Sequence, residues 1–219
     1  PPNIMQRIFI MIALVLFIAV GMMMPTLSTP KEHTDKNIRL DRLRDLTRAI
    51  HKFEENHERL PSATFNRERL LSWRVQLLPY LGEQELFDKI DKTVSWDHSN
   101  NKPFHDQMPL VYSDPAKLHP SLTSCRIISG AGTPWADGDS PVSFESVIDG
   151  SSNTIAIISL PNMQTNWLAP MTLSIENSKE LIAIQNEQRN CHSYLDGHVS
   201  DGPFETYLNG SPFLIADAE

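Results

Sequence analysis

Four residues toward the C-terminal end have the side-chain chemistry of a metal site: Cys191, His192, Asp196 and His198. A thiolate, two imidazoles and a carboxylate are all ligands that a divalent transition metal accepts. In an ideal strand, residues 192, 196 and 198 would share one face. Asp196-Gly197 is itself a turn signal, however, and a turn breaks that alternation. The spacing therefore points to polar residues at a hairpin tip, and no metal is assigned. Asp137 and Asp139 with nearby carbonyls could ligate Ca²⁺, but the EF-hand loop pattern is absent. Gly138-Asp139-Ser140 has the outline of a nucleophile loop. Pro141 stands where a glycine would help to shape an oxyanion site, and Gly-x-Ser-x-Gly is missing, so ordinary turn chemistry is the reading. Gly130-Ala131-Gly132 is too short for a phosphate-binding fingerprint. Trp73, Trp96, Trp135 and Trp167 could line a ligand groove, although isolated tryptophans more often belong to a core or its rim. His51 and His57 lie six residues apart, which is not the i, i+4 ligand spacing of a helical metal site.

The two cysteines exclude a disulfide-dense scaffold and a four-cysteine zinc site. Cys125 falls in an expected strand and Cys191 just before another. In an exported domain a bridge between them would close a 66-residue loop, worth about 4 kcal/mol in the chain-entropy model. The alternative is a pair of buried thiols. Spacing alone leaves both open, because it carries no Cα separation.

The elements that must position these residues are bounded by composition. The chain has 219 residues, a formal net charge of −8 and 40% hydrophobic content. It is long enough for one sizeable core and too apolar to be mostly disordered. An acidic balance without a basic block argues against nucleic acid as a partner, since neutralising phosphates needs clustered Lys and Arg.

From Ile8 to Met24 run 17 residues without a charge. As a helix they would be about 26 Å long, enough with uncharged flanks to cross a bilayer. Ten of them are Ile, Leu, Val or Phe, which together supply roughly −3 to −6 kcal/mol toward insertion. The segment predicts a single transmembrane helix, with Ile8, Phe9, Ile12, Leu16, Val20 and Met24 as the membrane anchor. It is slightly long for a cleaved signal sequence and lacks the polar face of an interfacial helix.

After it, Pro25 and Pro30 predict a kink or stop. Thr34-Asp35 offers a helix start. Leu43, Leu46, Ile50 and Phe53 then follow at spacings of 3, 4 and 3, with Arg44, Asp45, Arg48, Lys52 and Glu55 off that stripe. This predicts an amphipathic helix of about six turns that ends before Pro61 and needs a sheet to cover its stripe. A helix ending near Pro79 is favoured over a strand for residues 70–81, with a short helical pattern over Glu83–Asp91. Residues 93–121 read as an irregular connection. From Ser121 the texture becomes β-rich: 123–129, 143–148, 154–160, 192–195 and 198–199 are short apolar runs between Asp-Gly pairs, which predict antiparallel hairpins. Residues 178–188 suit either a short helix or a strand.

Several of these segments together resemble a known family. They are Met24-Pro25, Ala49-Ile50-His51 before Leu60-Pro61, Ser72-Trp73-Arg74-Val75-Gln76-Leu77-Leu78-Pro79-Tyr80-Leu81, Trp96-Asp97 with Asn100-Asn101, Met108-Pro109, Asp149-Gly150-Ser151-Ser152-Asn153-Thr154 and Asp196-Gly197-His198-Val199. The chain resembles the planctomycete-type family of prepilin-like proteins with a conserved domain of unknown function. The resemblance implies a type IV pilin- or pseudopilin-like N-terminal helix in the inner (cytoplasmic) membrane, a cytoplasmic N-terminus and an exported α+β head in the periplasm. Some classifications group the family with solute-binding proteins. The sequence departs from the pilin pattern in one respect: residues 1–30 contain no acid, and Ile8 stands near the place of the usual glutamate.

The expectation is therefore an α+β fold in two parts. Residues 1–30 form a transmembrane anchor and kink. Residues 31–219 form an exported pilin-like domain in which a broken helical spine packs on an antiparallel sheet. The expected role is a non-enzymatic, membrane-anchored structural or assembly protein, a subunit of a cell-envelope filament or membrane complex. Its partners would be the lipid bilayer and other protein subunits, and no cofactor is implied. The alternative is a tethered periplasmic module that binds a solute or glycan in a concave, Trp-lined pocket.

Overall fold

The computed structural model describes residues 3–6, 30–65, 71–130, 133–135, 142–147, 150–174 and 190–201. The chain divides into two compact units, Pro1–Thr34 and Asp35–Glu219. The core and the site lie in the second.

Helix α1 spans Pro30–His57. It begins at the proline read from sequence as a stop, four residues before the expected Thr34 start. A proline ring fixes φ near the helical value, and its missing N–H is one that a first turn leaves unbonded anyway. The helix ends where Glu58 turns left-handed (φ +55°) and its N–H closes on Glu54 O at 2.7 Å. Leu43, Leu46, Ile50 and Phe53 are all buried, so the 3-4-3 stripe is the packed face.

Among the described residues no helix is long and apolar enough to cross a membrane. Helix α1 is long but carries Asp, Glu, Lys or Arg in every turn. Each such residue costs about 2.5 to 3.5 kcal/mol at a bilayer centre. The expected span Ile8–Met24, with its anchor residues Ile8, Phe9, Ile12, Leu16, Val20 and Met24, lies outside the described residues. Over the described residues the fold is thus corrected to α+β without a transmembrane helix. The expected single-pass inner-membrane location is corrected on the same finding.

Short helix α2 (Trp73–Leu77) follows an N-cap at Ser72, whose Oγ accepts the Arg74 N–H at 3.3 Å. A 3-10 turn over Leu78–Leu81 carries Pro79 and closes at Gly82, which is left-handed at φ +82°. Helix α3 (Gln84–Lys89) comes next. The helix-over-strand reading of residues 70–81 is thereby met in the described part of that segment.

The strands are short: β1 (Leu122–Thr123), β2 (Cys125–Arg126), β3 (Ile128–Ser129), β4 (Ile155–Ser159), β5 (Thr165–Asn166), β6 (Leu173–Ser174), β7 (Cys191–Tyr194) and β8 (Val199–Ser200). The main sheet has the order β2-β4-β7-β8, antiparallel throughout. β1 pairs with β5 antiparallel and β3 with β6 in parallel. Residues 144–146 of the expected 143–148 strand form a 3-10 turn instead, closed by a Ser143–Ser146 capping box. The segment 178–188 lies outside the described residues.

Alternation along the strands divides the sheet into two faces. Cys125, Ile157 and Cys191 join the large core beneath α1, with Leu46, Ile50, Trp73 and Trp135. Ile158 and Tyr194 belong to a smaller cluster with Ile128, Leu160 and Leu173. Helix and sheet are also joined by polar contacts. The Thr47 hydroxyl lies 3.0 Å from Leu43 O and 2.9 Å from Ser193 Oγ. The His51 imidazole contacts Leu195 O.

Candidate functional site

The four metal-type residues do not converge. β7 sends Cys191 toward α1 and His192 to the opposite face. His192 Nε2 meets the Tyr194 hydroxyl at 3.0 Å. Burial, with His198 adding to it, holds His192 down to about 4, because an imidazolium would lose its water there. Asp196 and His198 sit in the β7–β8 turn, where Asp196 Oδ1 accepts both the His198 backbone N–H (3.0 Å) and its Nδ1–H (2.6 Å). The His198 ring stacks on Tyr194 at 3.9 Å. This is a hairpin tip tied by an Asx turn. Among the described residues no group of three or more His, Cys, Asp or Glu is placed to hold a metal.

Cys125 and Cys191 are free and buried. The register pairs Cys125 with Ser159, and Ser159 with Cys191. One strand therefore stands between the two thiols, and two inter-strand steps separate their backbones by about 10 Å. A disulfide needs Cα atoms within roughly 7 Å, so the bridge left open by the sequence is not formed here. Burial raises both thiols above their ordinary range. Asp137, Gly138, Asp139, Ser140, Pro141 and Gly132 lie outside the described residues.

Three of the four tryptophans lie in the core, not along a groove. Trp73, Trp135 and Trp167 are fully buried. Trp73 and Trp135 pack at 5.3 Å, and Tyr112 stacks on Trp167 at 6.3 Å. Trp96 is half-buried and stacks on His105 in the 91–107 loop. Buried Asn101 holds that loop together: it accepts the Asp91 N–H and donates to the Asp91 and Ser95 carbonyls.

The sequence reading missed Arg74, which is fully buried. Its guanidinium donates to Ser72 Oγ (2.7 Å), to Trp167 O (3.4 Å) and to Cys125 O, and lies 4.9 Å from the centre of the Trp73 ring. Its own carbonyl accepts the Tyr112 hydroxyl at 3.0 Å. One side chain thus ties α2 to β2 and to the segment after β5. Burial lowers it to about 10, so it stays charged at neutral pH. A second buried cation, Arg39 of α1, pairs with Asp114 at 3.2 Å. Beside it, Arg42 donates to Ser113 O and Oγ at 2.8 and 2.9 Å. The signal for these was present: arginines adjoining the apolar stripe and inside an otherwise apolar run.

A concave surface lies elsewhere. A groove of about 540 Å³ runs between α1, which supplies Asp45, Arg48, Ala49 and Lys52, and two loops, residues 80–83 and 109–111. Ala49 is buried, and Leu81 and Val111 are partly buried. Leu110 is 67% exposed on the rim. Tyr80 is held by His57, whose Nε2 lies 3.0 Å from the hydroxyl, and by an edge contact with Phe53 at 5.7 Å. The charged lining is balanced, with Asp45 and Glu83 against Arg48 and Lys52. Arg48 and Asp45 already pair along the helix. The groove offers apolar contact on its floor and ion pairing on its walls.

A helix-on-sheet α+β domain with a core cross-linked by buried arginines, and an open groove of balanced charge beside its long helix, is the class these observations define. The chain belongs to the SBP_bac_10 family, described as a protein of unknown function (DUF1559), whose model matches residues 41–164. Neither a curated protein nor a solved structure matches it. The matched segment contains Arg74 and every residue of the groove, whereas the β7–β8 hairpin and Cys191 lie beyond it.

Proposed function

We propose that this chain is a non-enzymatic structural or assembly protein, a prepilin-like member of its family, whose α+β domain serves as a subunit of a larger protein assembly. The observation that carries this reading is the division of labour on α1. One stripe is spent on the sheet, while the opposite flank presents Asp45, Arg48 and Lys52 along an open groove with an apolar floor. Interfaces of this type combine an apolar centre with charged residues that set the orientation of the partner. The rival role, a solute- or glycan-binding module, called for a Trp-lined pocket, and three of the four tryptophans are instead in the core.

The test is gentle extraction of the chain from the cells that make it, followed by imaging and mass spectrometry of what co-purifies. Fibres or a defined multiprotein particle are the expected result. A lone protomer carrying a bound solute would overturn the reading in favour of the binding module.

A further inference from the structure

We propose that the groove on α1 is a self-association site, occupied by a second copy of this chain in a two-fold arrangement. This rests on the assembly reading and names the partner. Asp45 and Lys52 are seven residues apart on α1, about 10.5 Å along the axis and within 20° of the same direction around it. A two-fold axis passing over residues 48 and 49 therefore sets Asp45 opposite the partner subunit's Lys52, and Lys52 opposite the partner subunit's Asp45. Such self-complementarity is what an isologous interface requires, and a groove suited to a ligand of one sign would lack it. Buried Ala49 and exposed Arg48, which pairs with Asp45 of its own helix, flank the axis.

Leu110 supplies the apolar contact. It projects from the rim, and a groove of about 540 Å³ has room for a second Leu110 above Ala49, Leu81 and Val111. Each copy thus contributes the residue that fills the groove of the other. Exposed ion pairs add little affinity by themselves, so Leu110 drives the contact and the Asp45–Lys52 pairs set its register.

The experiment is sedimentation velocity of the full chain from low to high micromolar concentration. A reversible dimer is expected. Leu110→Asp should abolish it, while Asp45→Lys and Lys52→Asp should each weaken it about tenfold or more. The double swap, Asp45→Lys with Lys52→Asp, should restore it to near the starting affinity, since it exchanges the two ends of the same pair. All three positions are exposed, and circular dichroism checks that each variant folds. A monomer at every concentration, a dimer indifferent to Leu110→Asp, or a double swap as weak as the single changes would each overturn the proposal. A monomer that still co-purifies in a defined particle removes the self-pairing and leaves the assembly reading standing. A dimer that never enters a larger particle does the reverse.

Discussion

Arg74 joins three segments of the architecture through one buried side chain. It is a cation surrounded by uncharged oxygens, and it satisfies the carbonyls of Cys125 and Trp167. Truncation would leave these acceptors buried without a donor and open a cavity beside Trp73. Arg74→Ala should therefore destabilise by roughly 3 kcal/mol or more in urea unfolding. Arg74→Lys should recover little of this, because an ammonium cannot span three oxygens set for a planar fork. Full stability in the lysine variant would show that charge alone matters there. His192 makes the second residue-scale prediction. Its folded value of about 4 lies below the ordinary 6.5, so the unfolded chain binds the proton more readily. Stability from this residue is complete above pH 6.5, declines as the pH falls toward 4, and has lost up to roughly 3 kcal/mol once both states are protonated. Asp201 is also held below the usual carboxylate value, chiefly by the hydrogen bond from Lys36, and so takes effect only at lower pH. Urea midpoints measured between pH 7 and pH 4 should fall steeply for the native chain and much less for His192→Gln. Parallel slopes would remove His192 as the cause.

At the scale of elements, the β7–β8 hairpin turns on backbone geometry. Gly197 has φ +97°, and a Cβ built on it would meet nothing within 4 Å. The cost of Gly197→Ala is thus conformational strain without a clash, about 1 kcal/mol or somewhat more. Thermal unfolding should show a small loss of that size, and no loss would mean that the turn relaxes to another type. The same contrast explains what could be read from the sequence. The α1 stripe repeats over three turns, so its period survives any tertiary context, and the Asp196-Gly197 turn is a local device. The run 123–129, by comparison, reads as one strand and is three, each pairing with a different partner. Partner choice is non-local and leaves no period in a two-residue strand. The groove was illegible for a related reason. Asp45, Arg48 and Lys52 stand out as charges off the stripe, but their opposite wall comes from the Gly82 turn and from residues 109–111 inside an apparently irregular segment. Arg74 was hidden by its type, since arginine is rarely fully buried.

At the scale of the whole molecule, the sheet shares its two faces between two apolar clusters, so the layers should unfold together. Two sets of reporters sit in this core. Trp73, Trp135 and Trp167 are fully buried beneath α1, and Cys125 and Cys191 lie in the same cluster as unbridged thiols with one strand between them. Burial keeps both thiols protonated as well as inaccessible, and only the exposed thiolate reacts. A thiol reagent should therefore leave the native chain unmodified and add two equivalents on unfolding, with the same midpoint with or without reductant. The urea transition followed by thiol labelling should coincide with that followed by tryptophan fluorescence, as an all-or-none domain requires. If one cysteine reacted well before the fluorescence changed, the sheet would be opening while the α1 layer remained packed. The core would then comprise two cooperative units, and Thr47–Ser193 and Arg74–Cys125, the buried ties from helix to sheet, would have to be weaker than their burial implies.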